Sequence, residues 1–223
     1  MPADTGIEER HLRNASIIDQ ERINRFPVSI IGVGAIGSHL AEVLAKLGVR
    51  DFTLIDFDEV DTVNLGVQGF YEKEVGCLKV EAVSHRLRKI CREIEVKENL
   101  TTYIPDLIPS QSVVFSCVDS MKTRRHIFRH FCERDWSVLF DGRMAAESLR
   151  VFCVERNPES ISLYRESLFP EHESYREACT ARATIYSAMI AAAILCAQFK
   201  KWAMGQSPDP HIHVDLFGMD LFR

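Results

Sequence analysis

The chain has 223 residues, of which 46% are hydrophobic, and a formal net charge of -5 at pH 7. This length and composition suffice to bury the core of one globular domain, and the negative charge argues against bulk attraction to nucleic acid or to an anionic membrane. Seven cysteines without a CxxC pair favour free thiols in a reducing compartment, so we expect a cytoplasmic protein that is not anchored in a membrane.

Predicted strands and helices alternate along most of the chain. After a charged, helical N-terminal arm over residues 1–26, the apolar runs and helical periodicities predict, in chain order, a strand at Val28 to Ile31, a helix at Ser38 to Leu47, a strand at Phe52 to Ile55, a helix at Lys79 to Ile94, a strand at Val113 to Val118, a helix at Thr123 to Arg134, strands at Ser137 to Phe140 and Leu149 to Val154, a helix at Cys179 to Met204, and a strand at His213 to Phe217. This alternation predicts an α/β, Rossmann-like fold with a mostly parallel sheet flanked by helices.

The organisation of the chain follows from the same pattern. Residues 157–178 are polar and contain Pro158 and Pro170, so we expect a surface excursion there rather than core. We expect residues 1–223 to form a single domain, because no linker or internal repeat interrupts them.

A glycine-rich turn lies between the first predicted strand and the first long helix. Gly32, Gly34 and Gly37 form a GxGxxG pattern, in which backbone N–H groups at a helix N-terminus can meet a phosphate closely. Asp56 closes the second strand, where a carboxylate can bind the ribose hydroxyls of an adenosine. These residues predict a nucleotide site, and they fit NAD and ATP equally well.

The next segment separates the two nucleotides. It places Asp58, Asn64, Gln68 and Lys79 just beyond the carboxyl edge of the predicted sheet, and an NAD-dependent dehydrogenase does not need them. The segments GVGAIGS, LIDFDEVDTVNL, the following glutamine, VGCLKVEAV and SCVDSMKTR, in this order and spacing, resemble the adenylating core shared by the ThiF, MoeB and HesA proteins and the ubiquitin-activating enzymes. The resemblance covers nearly the whole chain.

That resemblance implies ATP and Mg2+ as ligands. It assigns Asp56 to the ribose, and it assigns Asn64, Gln68 and Lys79 to the triphosphate and the acyl group being activated. It also assigns Asp119 to Mg2+, a hard cation that prefers carboxylate oxygen.

Two of the acidic residues have a second interpretation. Asp119 directly precedes a predicted helix, so it is also a candidate N-cap. Asp58 either assists the metal or caps a turn.

The chain departs from the family in one loop. Members of the family usually have the motif NLxRQ. This chain has NLGVQ, with Val67 in place of a phosphate-directed arginine. Arg124 and Arg143 are candidates to replace that charge. The arm sequence RHLRN resembles the family's RYxRQ, which implies that Arg13 acts in the partner's site across a homodimer; plain surface exposure is the alternative for Arg10 and Arg13.

Cysteine usage bears on metal binding and on covalent chemistry. Related proteins often hold zinc with two CxxC pairs, which are absent here, so we expect no structural zinc, and His211 and His213 alone are too few ligands. The resemblance places Cys179 where several family members carry the thiol that receives the activated carboxylate. A covalent role for Cys179 and a structural one both remain open.

The resemblance implies ATP-dependent adenylation of the C-terminal carboxylate of a ubiquitin-like or sulfur-carrier protein, with release of pyrophosphate. The alternatives are adenylation of a small or tRNA-borne carboxylate, as a cyclising dehydratase performs, and an NAD-dependent oxidoreductase. A third alternative is a non-catalytic partner that keeps the fold, for which Val67 is the best support.

Overall fold

One eight-stranded sheet runs through the computed structural model, which describes residues 9–169 and 183–223. Its strands are β1 (Val28–Ile31), β2 (Asp51–Asp56), β3 (Glu95–Leu100), β4 (Val113–Ser116), β5 (Val138–Ala145), β6 (Ser148–Val154), β7 (His211–Asp215) and β8 (Asp220–Phe222), in the spatial order β3-β2-β1-β4-β5-β6-β7-β8. The pairs from β3 to β5 are parallel, and those from β5 to β8 are antiparallel. The predicted Rossmann-like α/β fold is confirmed.

Helices cover both faces of this sheet. They are α1 (Gln20–Ile23), α2 (Ala35–Leu47), α3 (Lys79–Ile90), α4 (Met121–Glu133), α5 (Pro158–Glu166) and α6 (Ile185–Ala203). Side chains of α2, α3 and α6 share one apolar core with Ile30 of β1, while α4 and α5 share a second core with the next residue, Ile31. A strand buried on both faces must be apolar throughout, which is why β1 is a continuous apolar run rather than an alternating one. None of the described helices is long and apolar enough to cross a membrane.

Two differences from the predicted elements concern polar stretches. The helix predicted to continue to Ile94 ends at Ile90, and the next residues lead into β3, an edge strand whose side chains are mostly exposed.

The surface excursion predicted at residues 157–178 begins instead with a helix. This helix is α5, which is capped by Asn157 and carries the fully buried Tyr164. Tyr164 packs against Phe128 and Phe152. Residues 170–178 lie outside the described part of the chain.

Strand β5 extends beyond the parallel half of the sheet. Its last residue paired with β4 is Asp141, opposite Ser116. It then continues to Ala145, paired only with β6, which runs in the opposite direction. Arg143 therefore lies beyond the carboxyl edge of the parallel strands.

Candidate active site

The glycine turn lies at the point where the order of the parallel strands reverses. The chain leaves β1 for β2 on one side and later returns to β4 on the other, which opens a crevice at their carboxyl ends. Gly32 has a φ of +84°, and a Cβ there would come within 2.7 Å of the Cys117 carbonyl oxygen. A Cβ on Gly37 would come within 2.0 Å of the Gly32 carbonyl oxygen. Gly32 and Gly37 are therefore required for the turn to close against β4 and α2.

Gly34 differs from the other two glycines because the protein leaves space around it. The nearest atom to a Cβ built on Gly34 is Oε1 of Gln68, at 3.7 Å. Gly34 caps α2 with no side-chain hydrogen bond, and Gln68 Oε1 is buried without a hydrogen-bond partner in the described residues. A polar ligand that approaches the backbone here would find space at Gly34, an uncapped helix N-terminus and an unpaired buried oxygen.

Asp56 is held in place by the turn itself. Its Oδ2 accepts a hydrogen bond from the Val33 amide at 2.8 Å, and its Oδ1 accepts one from the Asp58 amide at 2.9 Å. Each carboxylate oxygen keeps further acceptor capacity, which is what binding to a pair of ribose hydroxyls needs. The structure thus places the Asp56 carboxylate beside the glycine turn.

Asp58 and Lys79 form an ion pair, with 2.8 Å between Lys79 Nζ and Asp58 Oδ2. The loop between them closes on itself, because the Lys79 amide donates to the Asp58 carbonyl and the Val60 amide donates to the Cys77 carbonyl. Asp58 is therefore more than a turn cap: its carboxylate orients the lysine.

Asn64 lies within the same loop. Its Oδ1 accepts a hydrogen bond from the Asp61 amide at 2.9 Å, which leaves the side-chain NH2 group as the end available to a ligand.

Asp119 lies three residues beyond β4 and is exposed. Ser120, rather than Asp119, is the N-cap of α4, because its side chain accepts a hydrogen bond from the Thr123 amide. The neighbouring Val118 amide lies 3.2 Å from where a Cβ on Gly32 would be, so Asp119 directly adjoins the glycine turn. Its carboxylate makes no hydrogen bond within the described residues, which leaves it free for a ligand.

Arg124 and Arg143 share one buried partner. Both pair with the fully buried carboxylate of Asp141, Arg124 at 3.1 Å and Arg143 at 2.6 Å. Burial alone raises the pKa of Asp141, but the two guanidinium groups outweigh it and hold that pKa below its ordinary value. Protein acceptors thus occupy both arginines, and whether either replaces the charge missing at Val67 stays a prediction.

The Asp141 network was not predicted from the sequence. An aspartate inside the apolar strand sequence VLFDG was the available signal, since a buried charge requires partners. Burial raises the pKa of the thiol of Cys117, beside the glycine turn, and so disfavours its nucleophilic thiolate form.

The described part of the N-terminal arm, residues 9–26, is by contrast not brought to this site. Arg13 is exposed, and residues around it pack on the opposite end of α2: His11 lies near Gly48, and Gln20 donates to the Leu47 carbonyl. Cys179 lies outside the described residues. Within the described ranges no group of three or more histidine, cysteine, aspartate or glutamate side chains could hold a metal ion.

The structure combines three features of Rossmann-like folds of the nucleotide-binding type. These are a crevice at the strand-order reversal, a glycine turn that leaves space for a ligand, and an acid at the end of β2. The model of the ThiF family matches residues 8–223, and the chain belongs to this family.

The chain is also similar to individual proteins. It is 32% identical over 131 residues to ubiquitin-like modifier-activating enzyme 5 of Gallus gallus, covering 52% of this chain and 33% of the relative. For the same enzyme of Branchiostoma floridae the identity is 33% over 133 residues, with coverage of 52% and 33%. The match thus spans about a third of the length of these relatives.

Solved structures share the fold. The crystal structure of E. coli MccB with ATP superposes with a TM-score of 0.75 at 20% identity, covering 97% of this chain and 71% of that one. PaaA superposes with a TM-score of 0.77 at 18% identity, with coverage of 91% and 73%.

Proposed function

We propose that this chain is an ATP-dependent adenylyltransferase whose substrate is the C-terminal carboxylate of a ubiquitin-like or sulfur-carrier protein. The observation that carries the proposal is the continuous set of contacts that joins the glycine turn to Asp56, Asp58 and Lys79, with the free carboxylate of Asp119 beside the same turn. An NAD-dependent oxidoreductase would use only the glycine turn and Asp56. Membership of the ThiF family and the similarity to ubiquitin-like modifier-activating enzyme 5 support the choice of substrate.

In the proposed reaction an oxygen of the substrate carboxylate attacks the α-phosphorus of ATP. A bond forms between that oxygen and phosphorus, the bond to the bridging oxygen breaks, and pyrophosphate leaves with the electron pair. The product is an acyl-adenylate. Lys79 stabilises the charge that builds on the phosphate oxygens, while the amides of Asn64 and Gln68 orient the same group.

The charge of the site favours a role for Mg2+. Asp56, Asp58 and Asp119 carry three negative charges against the single positive charge of Lys79, which by itself repels a polyphosphate. Mg2+ typically binds through one or two carboxylates together with substrate phosphates, and exposed Asp119 fits that role. The metal would neutralise phosphate charge during the reaction.

We further propose that Arg13 acts across a homodimer. Its neighbours pack at the carboxyl end of α2, and a helix of 13 residues is about 20 Å long, so Arg13 is remote from its own glycine turn. A catalytic role for Arg13 therefore requires the site of a second copy. Mixing Arg13→Ala with Lys79→Ala protein should restore activity that each variant lacks alone, whereas an inactive mixture of co-assembled variants contradicts the trans arrangement.

The decisive test is ATP–pyrophosphate exchange by purified protein with candidate ubiquitin-like and sulfur-carrier proteins. We expect exchange that requires a carrier with its native C-terminus, and that Asp119→Ala removes. Glu93→Gln, a change at an exposed carboxylate in the turn after α3, serves as the matched control and should be neutral. Tight NAD binding together with no exchange for any carrier would overturn the proposal.

The role of Cys179 has its own test. If the acyl group passes to this thiol, a carrier adduct sensitive to added thiols forms in wild type and is lost in Cys179→Ala but not in Cys132→Ala, which removes an exposed cysteine of α4. An adduct that persists in Cys179→Ala excludes the covalent role.

We propose that residues 1–223 act as one adenylating domain; a cytoplasmic location remains a prediction.

A further inference from the structure

Asp141 lies where the direction of the sheet changes. It is the last residue of β5 that pairs with parallel β4, and on its other side it pairs with Phe152 of antiparallel β6. Its side chain is fully buried and accepts three hydrogen bonds, from Arg124 Nε at 3.1 Å, from Arg143 Nε at 2.6 Å and from the Tyr164 hydroxyl at 3.1 Å. One carboxylate therefore joins groups from α4, β5 and α5.

On one side of Asp141, Arg124 holds the loop that follows β4. Its Nη1 donates to the Asp119 carbonyl at 3.2 Å, and its Nη2 donates to the carbonyls of Val118 and Gly142. The Asp119 side chain makes no hydrogen bond within the described residues, so its position depends on these backbone contacts.

On the other side, Arg143 holds the carboxyl end of α5. Its two terminal nitrogens donate to the carbonyl and the hydroxyl of Ser167, each at 3.0 Å. Its guanidinium also lies 4.5 Å from the centre of the Phe152 ring and 5.3 Å from that of Tyr164. Planar stacking and a two-pronged hydrogen bond leave this side chain one orientation.

We propose that Asp141 is a positioning residue that sets the place of Asp119 through Arg124 and couples the Asp119 loop to the carboxyl end of α5 through Arg143. Both arginine side chains are nearly buried, 8% and 12% exposed, so water does not substitute for a lost partner. The coupling is a property of the fold alone. Its catalytic consequence rests on the adenylation proposed above.

Arg143→Lys is the variant that tests the coupling. It keeps the positive charge next to Asp141 but loses the fork that reaches Ser167. Asp141→Asn is less suitable for this purpose, because it leaves two buried guanidinium groups without a counter-ion, and the resulting loss of stability speeds exchange throughout the protein. Tyr164→Phe removes one hydrogen bond and provides a second, milder variant.

Amide hydrogen exchange measures the coupling without reference to activity. In residues 117–124, the amides of Cys117, Thr123 and Arg124 are hydrogen-bonded in the native structure. We expect Arg143→Lys to speed exchange in this segment about tenfold, although Arg143 makes no hydrogen bond to it. The matched control is Arg156→Lys: Arg156 likewise donates to carbonyls, those of Trp136, Phe131 and Arg134, but it does not touch Asp141. The control should leave residues 117–124 unchanged.

A result in which Arg143→Lys loosens only the region around Ser167 overturns the coupling. Equal effects of Arg143→Lys and Arg156→Lys on residues 117–124 also overturn it, since they indicate general destabilisation.

Activity provides the second measurement. In pyrophosphate exchange we expect Arg143→Lys to lower kcat about tenfold and to raise the Mg2+ concentration for half-maximal rate, with KM for ATP within about twofold of wild type. Tyr164→Phe should show the same pattern more weakly. A raised KM for ATP with unchanged Mg2+ dependence excludes the positioning of Asp119. If wild type exchanges with no carrier, the proposed function fails, while the hydrogen-exchange result still decides the coupling.

Discussion

The ammonium group of Lys79 lies 2.8 Å from the carboxylate of Asp58, although the lysine side chain is 7% exposed and the aspartate side chain is 48% exposed. The lysine stem is thus enclosed by the protein, while its partner is half-exposed to solvent. An incoming phosphate meets an ammonium group that is already oriented, so little side-chain entropy is lost on binding.

Replacing Lys79 with alanine should therefore reduce pyrophosphate exchange sharply. Loss of a preorganised group that stabilises developing charge typically costs about 100- to 1,000-fold in rate. Lys73→Ala removes an exposed lysine from the same loop and should leave the rate within about twofold. Steady-state rates of the two variants, measured with circular dichroism as a check on folding, test this; similar losses in both contradict the assignment of Lys79.

Gly34→Ala should separate ligand binding from folding. The protein leaves 3.7 Å between an added Cβ and its nearest neighbour, so we expect little change in Tm but a clear loss of ATP affinity, because the methyl group occupies the space in front of the helix N-terminus. Gly37→Ala places a Cβ 2.0 Å from a carbonyl oxygen and should lower Tm as well. Thermal unfolding and calorimetric titration with ATP give both quantities, and unaltered ATP affinity in Gly34→Ala argues against a phosphate at this turn.

The start of α4 offers a test of the N-cap assignment. Ser120→Ala should lower the free energy of unfolding by about 1 kcal/mol, because the hydrogen bond to the Thr123 amide is lost. Asp119→Ala should change it by less than about 0.5 kcal/mol, since this exposed carboxylate has no such bond. Urea unfolding of both variants measures the difference, and the reverse order makes Asp119 a structural residue.

Asp141 should make stability depend on pH in acid. Its folded-state pKa is lower than the ordinary 3.8, so the unfolded chain binds more protons between the two values and stability rises with pH through that window. The contribution is complete above about pH 4 and is lost as the pH falls through the folded-state pKa.

The comparison of wild type with Asp141→Asn isolates this contribution. We expect a difference in the free energy of unfolding of about 3–5 kcal/mol near neutral pH, which shrinks below the ordinary pKa of the carboxyl. Denaturant unfolding across the pH range provides the measurement. A difference that stays constant down to strong acid indicates that Asp141 does not carry the ion pairs described here.

The sequence predicted the elements that bury apolar side chains, because strands such as β1 are continuous apolar runs. It missed β3, whose polar side chains at the sheet edge carry no such pattern, and α5, whose one deeply buried aromatic residue, Tyr164, lies among polar neighbours. Both elements depend on contacts with distant parts of the chain. Local periodicity does not encode such contacts.

The candidate site likewise has a part that the sequence predicted and a part that it did not. Gly32 to Lys79 form one local block, and the predicted proximity of Asp56 and Lys79 to the glycine turn follows from strand order alone. The pairing of Arg124 and Arg143 depends on Asp141, which no spacing rule connects to both. The sequence therefore did not predict that these two candidate arginines share a buried carboxylate.

The extension of β5 past β4 has a consequence for how the crevice responds to ligands. Residues 142–145 are held by backbone hydrogen bonds to β6, so the chain beside the carboxyl ends of the parallel strands is sheet here and not loop. A loop wall has to lose conformational freedom when a ligand binds, and that loss weakens affinity. In this protein, residues 142–145 are already ordered when the chain has folded, before any ligand binds. Calorimetry should accordingly show a smaller entropic penalty for nucleotide binding than in a protein whose crevice is closed by a mobile segment at this position.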